Sequence, residues 1–186
     1  MAWTDPSLTN VPIKATHITE LRDRYDNLEN DVSQLNNRTW DVIIEDQKPS
    51  GTNGGTFTSG TWRTRDLNTL VFNHNSLASL SNNRFTLPAG TYCIDWDAPA
   101  YRVNRHKTAL YNYSSSTIVA YGTSELSSEG GATMNRSVGT KVVTISSSTS
   151  FTIQHICQSS YNNSGFGRAT DFGTEVYTRV RIKKIA

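Results

Sequence analysis

A heptad repeat of apolar residues near the start of the chain constrains its fold most strongly. The apolar positions are separated by gaps of 3, 4, 3, 4 and 3 residues, and they are Ile18, Leu21, Tyr25, Leu28, Val32 and Leu35. This is the a/d pattern of a coiled coil. A helix with one narrow apolar stripe cannot bury that stripe alone. The sequence therefore predicts an oligomer joined by a coiled-coil stalk over residues 15–37, with a helix folded back onto its own domain as the alternative.

The charges beside the stripe fit a parallel coil. With Ile18 at position a, Arg24 falls at g and Glu29 at the following e, which is the spacing of an interchain ion pair. β-branched residues at a with Leu at d favour two strands. Fewer than three heptads make a weak coil, because short isolated helices are marginally stable. We therefore expect the rest of the chain to supply most of the association.

After Trp40 the apolar period changes from 3.5 to 2, which indicates β-strands. Pro88 and Gly90 mark a corner between two strands, because proline cannot donate to a ladder and glycine frees a turn. Stretches rich in Ser, Thr, Asn and Gly separate the strands, and residues 125–136 are predicted to form such a loop. The candidate strands are residues 41–45, 67–73, 85–87, 91–96, 106–113, 117–122, 141–146, 150–158 and 175–185. Residues 40–186 therefore predict a mainly β domain, a sandwich or jelly roll.

The first 14 residues are predicted to form an extended arm. Pro6 and Pro12 argue against regular structure there. Exposed tryptophan is unfavourable, so Trp3 is expected to anchor the arm in a partner. The alternative is that Trp3 packs on the chain's own domain.

Composition excludes several partners. The net charge of +2 indicates neither nucleic acid nor a membrane surface, and no apolar run approaches the ~20 residues that cross a bilayer. Residues 1–10 lack a charged region followed by an apolar core, so we expect a soluble chain made in the cytoplasm without a signal peptide. Cys93 and Cys157 lie in no zinc-binding pattern. Two free thiols and an inter-strand disulfide both remain open.

The sequence offers little catalytic chemistry. His106 and His155 lie in candidate strands, where structural histidines are commoner than catalytic ones, and no HxH, HExxH or GxSxG motif occurs. Asp95 and Asp97 share one strand face and could hold a metal or act as an acid/base pair, with a polar face as the alternative. We predict a non-enzyme with no catalytic residues, no metal site and no cofactor.

One loop has the composition of a ligand-binding loop. Its aromatic, amide and glycine residues suit stacking on sugars and hydrogen bonding to their hydroxyls. An ordinary connection is the alternative reading. Three tyrosines in neighbouring strands, Tyr111, Tyr113 and Tyr121, are expected at an interface or in the core instead. The candidate ligand residues are Tyr161, Asn162, Asn163, Phe166 and Arg168.

Several short segments resemble known families. Residues 85–92 carry F-x-x-P-x-G-x-Y, which is similar to a segment of C1q/TNF-like jelly rolls. Residues 44–57 and 62–68 resemble the opening of knob domains in tailed-bacteriophage virion proteins, and residues 13–22 resemble a segment that recurs ahead of such knobs. The resemblance implies a homotrimer in which three jelly rolls pack side by side around an apolar axis. Calcium-binding residues of some C1q-like heads are not recognisable.

This resemblance implies a place on the virion surface. The first hypothesis is a capsid decoration or cement protein, docked on the phage major capsid protein through the arm and stalk. The alternative is the receptor-binding tip of a short tail fibre, held by a tail protein and recognising host surface glycans. An extracellular adhesion or signalling module would need an export signal, and a hydrolase has the least support.

Overall fold

The computed structural model describes residues 14–37, 39–128 and 130–186, without the side chains of residues 34–37. The boundary between two compact units lies between Thr39 and Trp40. The described part of the first unit forms a 23-residue α-helix, α1, over Ala15–Asn37. Trp3 and residues 1–13 of the predicted arm lie outside the described residues.

The second unit is built from β-strands. A single 3-10 turn, His74–Ser76, interrupts the strands that the structure describes. The strands are β1 (Val42–Lys48), β2 (Arg63–Thr64), β3 (Thr69–Asn73), β4 (Ser79–Ser81), β5 (Arg84–Leu87), β6 (Gly90–Tyr101), β7 (Asn104–Asn112), β8 (Thr117–Ser127), β9 (Met134–Ile145), β10 (Thr149–Cys157) and β11 (Glu175–Lys184).

These strands form two antiparallel sheets that pack into a sandwich. One sheet has the order β3-β1-β11-β6-β9, which we call the A sheet. The other has the order β4-β5-β10-β7-β8, with β2 beside β10, and we call it the B sheet. Most neighbours in each sheet are distant in the chain, as in a jelly roll. The predicted mainly β sandwich is confirmed.

The prediction of a loop over residues 125–136 is wrong at both ends. Strand β8 continues to Ser127 and β9 begins at Met134. The cause is backbone pairing, because Ser127 of β8 pairs with Asn104 of β7, and β9 stays in register with β6 from Gly90 opposite Ile145 to Tyr101 opposite Met134. The two ladders therefore extend through positions whose side chains gave no strand signal.

The main core fills the space between the sheets around Trp96. Its indole N–H donates to the Thr108 hydroxyl across the sandwich at 2.9 Å. Gly139 lies against this ring, since a Cβ at that position would approach Trp96 Cζ2 to 2.1 Å. The other large buried side chains of this core include Tyr92, Ile94, Phe85, Leu87, Phe151, Ile153, Leu110, Val180 and Ile182.

The Pro88–Gly90 corner joins β5 to β6 as predicted. Gly90 has a φ of +155°, a conformation that favours glycine. The Tyr92 hydroxyl donates to the Pro88 carbonyl at 3.0 Å, so the tyrosine of the motif holds the proline of the same motif. The F-x-x-P-x-G-x-Y segment is therefore a folding element of the sandwich.

Arg65 lies beside Phe166, which packs against a second cluster of buried residues, Phe57, Ala100, Val103 and Cys157. The guanidinium is fully buried and donates to the Thr178 hydroxyl, the Pro99 carbonyl and the Phe166 carbonyl at 2.8, 3.2 and 2.8 Å. It also lies 4.2 Å from the centre of the Phe166 ring. Burial lowers the pKa of Arg65 to about 10. Arg65 thus joins β6, β11 and the loop that contains Phe166.

Candidate association surfaces and binding pocket

The heptad stripe of α1 is open to solvent in the single chain. Its described members, Ile18, Leu21, Tyr25, Leu28 and Val32, are 46–66% exposed. The side chain of Leu35 lies outside the described residues. Arg24 and Glu29 are also exposed. The Glu29 carboxylate accepts from the Tyr25 hydroxyl one turn earlier and raises the pKa of that phenol.

The two end strands of the A sheet carry exposed apolar side chains. On β3 these are Leu70, Val71 and Phe72, and on β9 they are Met134, Val138 and Val142. Single exposed apolar residues are common, but clusters at the edges of a sheet mark association surfaces. The two clusters lie at opposite ends of the same five-stranded sheet.

The centre of the exposed A-sheet face is charged and internally paired. Asp97 forms ion pairs with Arg136 and with Arg181, the latter at 3.2 Å, and Arg181 also contacts Asp95 at 2.6 Å. The Thr140 hydroxyl donates to Asp95 at 3.0 Å. Both aspartates are therefore paired with arginine side chains, which favours a polar face over a metal or acid/base site. No group of three or more potential metal-binding side chains occurs among the described residues.

A buried histidine pair lies between the sheets. His106 Nδ1 is 2.9 Å from His155 Nε2, and His106 Nε2 is 2.9 Å from Asn135 Oδ1. His155 Nδ1 is buried without a hydrogen-bond partner among the described residues. Burial lowers the pKa of both imidazoles, and the nearby Arg65 charge lowers them further. The pair is therefore neutral and buried, which does not suit proton transfer to a substrate.

The predicted ligand loop is largely tied to the fold. The N–H and C=O groups of Tyr161 pair with those of Phe57 at 2.9 and 3.0 Å, and the Phe166 ring lies 4.4 Å from the Phe57 ring. Arg168 donates to the Tyr101 hydroxyl at 2.9 Å. Asn162 and Asn163 are exposed, whereas Tyr161 and Phe166 are half-buried. The role of this loop in ligand binding stays a prediction.

Both cysteines are free, so the disulfide alternative is wrong. Cys93 is half-buried and Cys157 is buried. Burial raises the pKa of Cys157 to about 11, so its thiol is protonated at neutral pH. Cys157 therefore behaves as a core side chain.

A pocket of about 640 Å³ opens beside strands β7, β8 and β10. We call it the B-sheet pocket. Its lining combines charged and amide side chains with apolar ones. The lining includes Arg105, Lys107, Glu125, Leu126, Ile156 and Gln158.

An aromatic group adjoins this pocket. Lys107 places its ammonium 5.4 Å from the centre of the Tyr121 ring, and Trp62 stacks on Tyr121 with 6.0 Å between ring centres. Tyr121 is 59% exposed, so it is not a core residue, and its place at an interface, the other expected position, stays a prediction. Tyr113 is also exposed, and Tyr111 is half-buried.

Sequence reasoning missed the pocket because three separate segments form it. Residues 105–107, 124–126 and 156–158 meet only through the pairing of β7 with β8 and with β10. Each segment alone has an ordinary strand composition. No single segment therefore carries a signal that indicates the pocket.

Comparisons with known proteins identify the fold. No protein-family model matches the chain, and no curated protein matches its sequence. The globular domain of zebrafish complement 1qA protein is similar in structure, with 12% identity and a TM-score of 0.50 over 78% of this chain and 98% of that chain. Murine APRIL at pH 8.5 is similar with 7% identity and a TM-score of 0.47, over 76% of this chain and 98% of that chain.

The sandwich is thus a C1q/TNF-like jelly roll, as the residue 85–92 motif suggested. At this level of identity the likeness establishes the fold alone. Among the described residues, no helix combines the length and hydrophobicity that a membrane-spanning segment needs.

Proposed function

We propose that this chain forms a homotrimer and serves as a non-enzymatic structural protein of a bacteriophage virion, decorating the capsid. The observation that carries the proposal is the exposed heptad stripe of α1. Five apolar side chains at a/d spacing are about half exposed or more in the single chain. Burying such a stripe between copies is the usual reason for its spacing.

The apolar edges of the A sheet support closed association. The β3 cluster and the β9 cluster are different surfaces, so contact between them is heterologous. Heterologous contacts form rings when the rotation closes. A ring of three sandwiches is what the C1q/TNF resemblance implies, and it would bury both clusters of every chain. The charged centre of the A sheet is already paired within each chain.

The virion assignment is supported by the resemblance of residues 13–22, 44–57 and 62–68 to phage virion proteins. A trimer suits positions of threefold symmetry on an icosahedral shell. In this proposal the arm, with Trp3, and the stalk dock on the major capsid protein. Protein quantification of purified phage particles tests it, with hundreds of copies expected per particle. Failure to find the protein in particles would contradict the assignment.

The second candidate is the receptor-binding tip of a short tail fibre that recognises host surface glycans. The observation that favours it is the B-sheet pocket, with Tyr121 and two basic side chains beside it. Exposed aromatic rings and adaptable polar groups are typical of recognition surfaces. Copy number separates the candidates, because a tail fibre would be present as only a handful of trimers per particle.

A further inference from the structure

The B-sheet pocket presents an oriented guanidinium. Arg105 is exposed, and its Nε donates to Gln158 Oε1 at 2.8 Å. This bond uses one of the five N–H donors of arginine and leaves the outer fork of the guanidinium for a ligand. A planar fork of this kind matches a carboxylate, which it binds through two parallel hydrogen bonds.

The charge of the pocket is positive. Lys107 lies two residues along the same strand, so its side chain projects on the same side of β7 as Arg105. Neither side chain forms an ion pair with an acidic group in the part of the chain that the structure describes. Glu125 is the one acidic residue in the lining, and it accepts from Asn135 Nδ2 at 3.2 Å. Two basic groups against one carboxylate leave the pocket with a net positive charge.

The remaining surface suits a sugar. Tyr121 offers an exposed ring beside Lys107, and the Trp62 ring stacks on it. Leu126 and Ile156 supply an apolar wall, which suits a methyl or acetyl substituent. A pocket of about 640 Å³ is in the range that holds a small ligand.

We propose that the B-sheet pocket binds a carboxylated sugar, with Arg105 and Lys107 holding the carboxylate and Tyr121 contacting the ring. This inference deepens the second candidate function and rests on it. It places recognition on the B sheet, away from the predicted loop of residues 161–168.

Ligand-observed NMR with the full-length protein tests this inference. The probes are two matched pairs of sugars, sialyllactose with lactose and trigalacturonate with maltotriose. We expect the acidic member of each pair to bind with a dissociation constant of about 1 mM and the neutral member to bind much more weakly. Binding of the acidic sugars should be weaker at about 0.5 M NaCl than at low salt, because salt screens exposed charges.

Four variants locate the site. Lys107→Ala and Arg105→Ala should each weaken binding of sialyllactose roughly tenfold. Tyr121→Ala should also weaken it, and Ser124→Glu should do so by adding a negative charge at an exposed position of the lining. The matched controls are Lys141→Ala, an exposed lysine on β9, and Tyr113→Ala, an exposed tyrosine outside the pocket. Both controls should bind as the wild type does.

The possible results distinguish a failure of the pocket proposal from a failure of the second candidate function. If the Arg105, Lys107 and Ser124 variants bind sialyllactose as the wild type does, the pocket proposal is overturned. Glycan recognition at another site would then still hold. Equal binding of lactose and sialyllactose overturns the carboxylate requirement. If neither acidic sugar binds to the wild type, the pocket proposal is overturned, whereas the second candidate function is tested separately by the copy number per particle.

Discussion

His106 Nδ1 lies 2.9 Å from His155 Nε2, and this contact fixes the protonation of two buried rings. Asn135 Nδ2 donates to Glu125 and to the Leu126 carbonyl, so Asn135 Oδ1 must accept from His106 Nε2. His106 Nδ1 is then an acceptor, and His155 Nε2 carries the proton between the rings. His155 Nδ1 is left as a bare, buried acceptor.

Protonation of either ring is therefore unfavourable in the folded chain. A proton on His106 Nδ1 would face the N–H of His155, and a proton on His155 Nδ1 would find no acceptor near the Arg65 cation. The pKa of each histidine is lowered by burial. The unfolded chain binds these protons near the ordinary pKa of about 6.5. The pair therefore favours the folded state above that pH and loses this contribution as pH falls below it.

The first prediction is that stability falls between pH 7.5 and pH 5. Urea unfolding at fixed protein concentration should give a smaller free energy of unfolding at the lower pH, because protons bind the unfolded state. His155→Gln keeps a donor towards His106 and removes one titrating ring, so it should reduce this pH dependence. His17→Gln changes an exposed helix residue and serves as the control. A pH dependence that is unchanged in His155→Gln would contradict the assignment.

The second prediction concerns the contact of Gly139 with Trp96. Gly139→Ala would place a Cβ 2.1 Å from Trp96 Cζ2, so the indole must move and strain its bond to Thr108. We expect a loss of about 1–3 kcal/mol or more in the free energy of unfolding. Gly130→Ala is the matched control, because a Cβ there meets nothing within 4 Å. Equal stabilities of the two variants in urea would show that the core tolerates the extra carbon.

The third prediction concerns the buried guanidinium of Arg65. Arg65→Lys keeps the charge but cannot reach Thr178, Pro99 and Phe166 together, which leaves buried carbonyls without donors. The expected loss of unfolding free energy is about 3 kcal/mol, because each buried polar group left without a partner costs about 1–3 kcal/mol. Arg63→Lys, a half-buried arginine two residues earlier, should change stability by less than about 0.5 kcal/mol. A neutral Arg65→Lys result in urea unfolding would mean that the three hydrogen bonds are dispensable.

Several of these residues show which parts of the structure can be predicted from the sequence. The apolar period of 2 after Trp40 and the Pro88–Gly90 corner predicted the sandwich, because those signals are local. Residues 125–136 were misassigned at both ends, because pairing of residues 125–127 with β7 and of residues 134–136 with β6 stabilises strand there regardless of side-chain pattern. The histidine pair is 49 residues apart in the chain and depends on the register of β7 with β10. The B-sheet pocket likewise depends on register, which composition does not encode.

The fourth prediction concerns the stripe of α1. Leu28 is at a d position and exposed in the single chain, so Leu28→Gln should weaken association without unfolding the sandwich. Asn30→Gln changes a residue outside the a/d stripe and should leave association unchanged. Dilution series followed by sedimentation compare the two variants. If Leu28→Gln and Asn30→Gln dissociate identically, the stripe does not contribute to the interface.

The molecular mass of the full-length protein in solution tests the central claim most directly. Sedimentation equilibrium should give three times the chain mass of 20.7 kDa, because in the proposed trimer the α1 stripe and the β3 and β9 edges, which are exposed in the single chain, are buried between copies. A mass of 20.7 kDa at micromolar concentration would show that these apolar surfaces stay exposed, and it would contradict the trimer and the virion role built on it.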